Sequence, residues 1–252
     1  MNRPPSLIGR PDEVLAGVIV PFDMALDAEM WRWAPDGVSL LFTRTPFASM
    51  PGSVELAEVV SDESAIEQCA RDLMMAKPAA YAYACSSGSF VRGLEGEKRL
   101  AESMRSVGGC GEAVTTSGAL VSALVRLGVR RVATATPYDA RLTERLTTFL
   151  EEADVDVVSS AHLGLSREIQ TVPYEETLRL VRDANSDDAE AVFVSCTNLA
   201  TYDVIAPLEA ELGKPVITAN QVTMWALLET MGRRAVGPHQ WLISAPRARE
   251  IT

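Results

Sequence analysis

Two cysteines stand where a thiol could do chemistry. Cys85 ends a small-residue apolar run in YAYACSSGSFVRG at 81–93, and Cys196 ends a similar run in FVSCTNL at 193–199. Small polar residues follow each one: Ser86, Ser87, Gly88 and Ser89 after the first, Thr197 and Asn198 after the second. Such residues expose backbone amides and favour helix starts, where bare N–H groups hold anions. A thiol at a helix start is expected to have its pKa lowered from about 8.5 toward neutrality. Each loop then offers a nucleophile or base beside an anion cradle, which suits a small carboxylate substrate. The alternative is two inert thiols at strand ends, but a packing cysteine needs no bare polar loop behind it.

Other residues sort against this pair. Tyr138, in Thr136-Pro137-Tyr138, has a phenol that could donate to a carboxylate or an oxyanion, whereas its first-half counterpart, Phe22, cannot. Asp23 and Asp139 follow the two matching prolines and read first as turn or cap residues. Cys69, in a helical pattern, and Cys110, in a Gly-rich turn, read as buried small hydrophobes. There is no C-x-x-C pair, and His162 and His239 are the only histidines, so no metal is expected. Six residues separate Cys85 from Arg92, one more than a tyrosine-phosphatase loop has, and no arginine follows Cys196. Gly213-Lys214 precedes a strand and is not a Walker loop, and no G-x-G-x-x-G opens a helix, so no nucleotide cofactor is expected.

The 252 residues suffice for one large or two small domains, with 47% hydrophobic and 23% charged residues. No apolar run reaches the roughly 18 residues of a membrane span. The N-terminus lacks a signal-peptide core, so a cytoplasmic protein is expected, without a membrane partner. A net charge of −11 repels phosphate backbones and argues against nucleic acid.

The thiols need elements to hold them. Apolar runs at 17–20, 38–42, 79–84, 112–115, 132–135, 155–159, 191–195 and 215–218 read as strands. Amphipathic stretches at 54–73, 117–127, 140–152, 174–183 and 202–212 read as helices between them. This alternation implies parallel sheets covered by helices. GVIVPFD at 17–23 resembles ATATPYD at 133–139, ACSSG at 84–88 resembles SCTNL at 195–199, and the stretch at 112–128 resembles that at 214–230. The pairs keep their order, so the expected fold is α/β. It has two pseudo-symmetric Rossmann-like (flavodoxin-like) halves, each a roughly four-stranded parallel sheet flanked by helices. Residues 1–116 with 220–252 form one half and 117–219 the other. The site lies in the cleft between them, at the carboxyl ends of the strands.

YACSSGSFVRG, VATATPYDARLTERL and FVSCTNLATYDVIAPLEAELGKPVITANQVTMWAL resemble the maleate isomerase and arylmalonate decarboxylase branch of the aspartate/glutamate racemase superfamily. The resemblance runs from Gly17 to about Leu228. It implies cofactor-independent chemistry and a homodimer or larger assembly. Arylmalonate decarboxylases as a rule carry only the second cysteine, so the pair Cys85 and Cys196 points to a two-thiol isomerase. By resemblance, Cys85 adds to the double bond of a maleate-like acid and Cys196 serves as acid/base. Tyr138 and the loop residues Ser86, Ser87, Thr197 and Asn198 hold the carboxylates. The sequence departs from the branch where maleate isomerases carry asparagines. Met24 occupies one position, and Leu163-Gly164-Leu165-Ser166-Arg167-Glu168 replaces the other. Arg167 could make that carboxylate contact as a bidentate pair, or be a solvated helix-start residue. Phe22 and Met24 would make the site more apolar than maleate requires. Three alternatives remain open: a two-thiol racemase or epimerase, a malonate-type decarboxylase using Cys196, and a non-catalytic carboxylate-binding protein.

Overall fold

A computed structural model describes residues 13–109 and 111–246. The first half runs β1 (Val14–Val20), α1 (Asp27–Trp31), β2 (Val38–Arg44), α2 (Val54–Val60), α3 (Glu63–Met74), β3 (Ala80–Tyr83), α4 (Ser86–Phe90), α5 (Gly93–Gly108), β4 (Ala113–Thr115) and α6 (Thr116–Leu127). The second runs β5 (Arg131–Thr136), α7 (Ala140–Glu152), β6 (Asp156–His162), a 3-10 turn at Ile169–Thr171, α8 (Tyr174–Ala184), β7 (Ala191–Val194), α9 (Tyr202–Leu212), β8 (Val216–Thr218), α10 (Ala219–Thr230) and α11 (Trp241–Ser244).

Each sheet has four parallel strands, in the order β2-β1-β3-β4 and β6-β5-β7-β8. The second order is the first repeated, as the paired sequence segments imply. In both sheets the chain reverses direction of growth beside the first strand, which places a crevice at the carboxyl ends of β1 and β3, and of β5 and β7. Register levels those ends: Ile19 lies beside Tyr83, and Ala135 beside Val194. Cys85 and Cys196 therefore leave their sheets at equivalent points.

Most strands are apolar on both faces because helices cover both. The edge strand β6 is the exception, alternating exposed and half-buried residues. The helical pattern at 54–73 is two helices. Asp62 breaks it by capping α3, its Oδ1 accepting from the Ala65 amide at 3.0 Å. Helix α10 is buried almost throughout and packs on α6 and on β3, β4 and β8, between the sheets. Helix α6 in turn packs on β4, α4 and α5. One core cluster spans both sheets and includes Cys196, and a second, built on Ile19, Tyr81, Tyr83, Leu100 and Met104, includes Cys85. Cys69 sits in that second cluster, its thiol donating to the Arg44 carbonyl at 3.4 Å, which is the packing role expected of it. Cys110 lies outside the described residues. Among the described residues no helix is long and apolar enough to cross a membrane.

Candidate active site

A cavity opens at the carboxyl ends of the two sheets and holds about 690 Å³ of empty space, part of it open to solvent. Cys85, Ser86, Ser87, Tyr138, Cys196, Thr197 and Asn198 form its polar floor. Leu56, Ala57 and Val60 of α2, with Leu142, Leu165 and Ile169, form an apolar wall. The two thiols of the repeated loops thus face one space from two halves of the chain.

Cys85 is the N-cap of α4, and its Sγ accepts from the Gly88 amide at 3.3 Å. The Ser87 hydroxyl lies 3.8 Å from Sγ, and the Tyr83 phenol, which donates to the Val60 carbonyl at 2.6 Å, stands beside the thiol. Gly88 is required here: a Cβ would come 2.2 Å from Tyr83 Oη and 3.1 Å from Cys85 Sγ. Cys196 opens no helix. It sits in a turn at φ +88°, a region that a cysteine rarely adopts. Its thiol meets the Asn198 amide and the Tyr138 phenol. Tyr138 Oη accepts from Ser195 Oγ at 3.3 Å, which leaves the phenolic proton for Cys196.

The electrostatics reverse one expectation. Burial raises the Cys85 pKa above the ordinary thiol range, against the Gly88, Tyr83 and Ser87 donors. Burial pushes Cys196 up to about 12, against the Asn198 amide and the Tyr138 phenol. Neither thiol is drawn toward neutrality. Helix α4 has five residues, too few for a strong dipole, and no helix starts at Cys196, so desolvation wins. The Tyr138 phenol is held well above its usual range by burial and stays a proton donor. Asp23 is solvent-accessible at the cavity edge, where desolvation raises its carboxyl pKa.

Hydrogen bonds between the halves fix the floor. The Cys196 amide donates to Ser86 Oγ at 3.2 Å, and Thr197 Oγ1 donates to the Ala84 carbonyl at 3.1 Å. Asn198 Oδ1 accepts from the Ala25 amide at 2.9 Å, and Nδ2 donates to the Asp23 carbonyl at 3.1 Å and to Gln170 Oε1 at 3.4 Å. The side chains of Thr197 and Asn198 are therefore engaged in positioning loops, and what these residues present to a ligand is backbone. Ser86 keeps its hydroxyl proton free of that contact with Cys196. Behind the Cys196 turn, Asn220 Nδ2 donates to the Thr197 carbonyl at 3.0 Å. The buried Glu29 carboxylate accepts from the Thr201 and Tyr202 amides at 2.7 and 2.6 Å, tying the start of α9 to the first half.

The remaining candidates divide. Met24 lines the cavity, its sulfur accepting from the Leu26 amide at 3.0 Å. Arg167 lines it too, on a loop docked by the Leu165 amide to the Pro137 carbonyl at 2.8 Å and by the Gly52 amide to the Ser166 carbonyl at 2.7 Å. No described residue forms an ion pair with Arg167. Phe22 is not part of the lining. It packs on the second core cluster, behind the cavity floor, and meets Phe47 edge-on at 5.3 Å, an apolar partner outside the lining. Asp139 is a cap, accepting from the Leu142 amide at 2.8 Å. Arg92 donates to Ser61 Oγ and the Glu58 carbonyl, away from the cavity, so no phosphatase-like loop forms. No metal-binding cluster occurs among the described residues. The sequence reading missed Tyr83, Asn220 and Glu29. Of these only Tyr83 had a signal: strand period puts Tyr81, Tyr83 and Cys85 on one face.

The family model described as arylmalonate decarboxylase matches residues 54–240. A maleate isomerase from Alcaligenes faecalis is 28% identical over 182 residues, 69% of this chain and 72% of the relative. An arylmalonate decarboxylase from Bordetella bronchiseptica is 32% identical over 152 residues, 58% of this chain and 62% of the relative. A crystal structure of a liganded arylmalonate decarboxylase, with one glycine changed to cysteine and one cysteine to serine, superposes with a TM-score of 0.83. It is 27% identical and covers 91% of this chain and 98% of its own. The chain belongs to the arylmalonate decarboxylase family, in the branch of the aspartate/glutamate racemase superfamily that also holds maleate isomerases.

Proposed function

We propose that this protein is a cofactor-independent cis–trans isomerase of a small unsaturated carboxylic acid, of the maleate-to-fumarate type. Cys85 is the nucleophile and Cys196 the acid/base. The observation that carries the reading is two free thiols, each beside a phenol and a backbone amide donor, lining one cavity. Rotation about an intact double bond is prohibitively slow, and covalent addition removes that barrier.

The steps balance. The Cys85 thiolate forms an S–C bond to one olefinic carbon while the π pair shifts to the other, held as the enediolate of the adjacent carboxylate. The Cys196 thiol gives that carbon a proton. After rotation about the single bond, the Cys196 thiolate takes a proton back, the double bond re-forms and the S–C bond breaks. Cys85 leaves as thiolate. Tyr138, the Ser86 and Ser87 loop, and the Thr197 and Asn198 amides hold the carboxylates and the enediolate charge. The solvation of the two sulfurs supports the division of labour. Cys85 has three donors to support an anion, whereas Cys196 has two and stands at about 12, a thiol at neutral pH. The site lies between the half that carries β1–β4 and the half that carries β5–β8. The free thiols suit a reducing cytoplasm, and the resemblance supports a homodimer or larger assembly.

The apolar wall of Leu56, Val60, Leu142 and Ile169 favours one second reading, decarboxylation of a malonate derivative with Cys196 as proton donor. Incubation with maleate in deuterated buffer, followed by NMR beside Cys85→Ser and Cys196→Ser, tests both. Fumarate formation lost in either variant supports the isomerase. Full fumarate formation in Cys85→Ser refutes it, and loss of CO2 from a malonate derivative that Cys85→Ser retains points to decarboxylation. Deuterium exchange into an α-chiral acid instead marks a two-thiol racemase. No turnover of any unsaturated, α-chiral or malonate acid leaves a binding protein.

A further inference from the structure

Tyr83 closes β3 with no solvent exposure, and the mechanism above counts its phenol only among the groups around Cys85. Its Oη lies 2.6 Å from the Val60 carbonyl, at the end of α2. The same oxygen neighbours the Cys85 sulfur across Gly88. The Gly88 geometry shows how close these atoms come: one missing Cβ would sit 2.2 Å from Oη and 3.1 Å from Sγ.

A phenol has one proton, and here it has two neighbours. The Val60 carbonyl can only accept. While Cys85 is a thiol, the phenolic proton serves Val60. Once Cys85 ionises, the sulfur is the stronger acceptor, because charge-assisted bonds are roughly twice as strong as neutral ones. We propose that Tyr83 is the positioning residue of Cys85, its hydroxyl turning from the Val60 carbonyl to Sγ as the thiol ionises. The proton stays on Oη throughout; the thiol proton leaves through the cavity to solvent. Tyr138 differs. Ser195 occupies its lone pair, so its proton faces the cavity, where Cys196 and a bound substrate compete for it. The proposal rests on Cys85 being the nucleophile.

The test is the pH dependence of Cys85 alkylation by iodoacetamide, read by peptide mass mapping in wild type and Tyr83→Phe without substrate. The midpoint for Cys85 rises by about one pH unit, so about ten-fold less thiolate reacts at a given lower pH. Cys196 in the same sample keeps its profile. A Cys85 profile that stays in place or moves down overturns the proposal. Should Tyr83→Phe fail to fold, wild-type protein grown with 3-fluorotyrosine decides the matter. The fluorinated phenol is a stronger donor and lowers the Cys85 midpoint; an unmoved midpoint overturns the proposal. Alkylation needs no turnover, so failure here is distinct from failure of the isomerase reading, which the maleate assay alone decides.

Discussion

Replacing Tyr138 by phenylalanine separates chemistry from packing at the second thiol. The ring stays, with its edge-on contact to Phe90 at 6.2 Å, so the wall of the cavity keeps its shape. Three things are lost. Ser195 Oγ, fully buried, loses its acceptor at 3.3 Å. Cys196 loses the donor that opposes its burial. The enediolate loses a donor. The first loss costs about 1 kcal/mol of stability, which for a chain of this size lowers Tm by about 2–4 °C. The third is an oxyanion-type interaction, and removing one such donor costs about 10²–10³ in kcat. Fumarate production from maleate, followed by NMR, should therefore fall at least about 100-fold at saturating substrate, while melting shifts by only a few degrees. The Cys196 alkylation profile moves to higher pH, since a donor to the thiolate is gone. A variant within threefold of wild-type kcat would refute the placement of Tyr138 at the reacting atoms.

Three further outcomes follow from the structure. Gly88→Ala drives a Cβ to 2.2 Å from Tyr83 Oη, so turnover and Cys85 alkylation both fall more than ten-fold while Cys196 alkylation is kept; unchanged Cys85 reactivity would contradict the crowding. Arg167→Gln raises KM for a dicarboxylate about ten-fold with little change in kcat, if the guanidinium meets a carboxylate; initial-rate kinetics decide, and an unchanged KM makes Arg167 a solvated residue. Glu209 accepts from the Val216 and Trp241 amides at 3.1 and 3.0 Å, and burial raises its pKa from 4.5 to about 7. The folded state thus holds this proton while the unfolded state has released it, so stability falls as pH rises from about 4.5 to about 7 and is flat above. The effect is roughly 3 kcal/mol at most. Urea unfolding at both ends of that window should show it in wild type and show less of it in Glu209→Gln, and equal slopes would remove Glu209 as the cause.

Strand positions and the repeat were legible because a parallel sheet buried on both faces writes itself as short apolar runs, and two copies repeat the order. The one helical pattern that split, at 54–73, did so through a local cap, Asp62, whose competition with a continuous helix outweighs the apolar spacing. The pair Cys85 and Cys196 was readable from the similarity of their loops. Their ionisation was not, since it depends on desolvation by residues far away in sequence and not on the helix starts that the loops suggested. The role of Asn198 was hidden for the same reason: its side chain is taken by Asp23 and Ala25, 175 and 173 positions away. Phe22 was placed by symmetry with Tyr138, but an apolar ring follows its nearest apolar partner, and Phe47 supplies one.

The central claim is that Cys85 bonds to the substrate. Intact-protein mass spectrometry of Cys196→Ser incubated with maleate tests it most directly, because solvent can slowly protonate the enediolate carbon but no thiolate remains to take the proton back and return the adduct to alkene. The account predicts one added substrate mass, mapped by peptide sequencing to Cys85 and absent from a Cys85→Ser/Cys196→Ser control. Unmodified Cys85, together with maleate turnover that persists in Cys85→Ser, would contradict it.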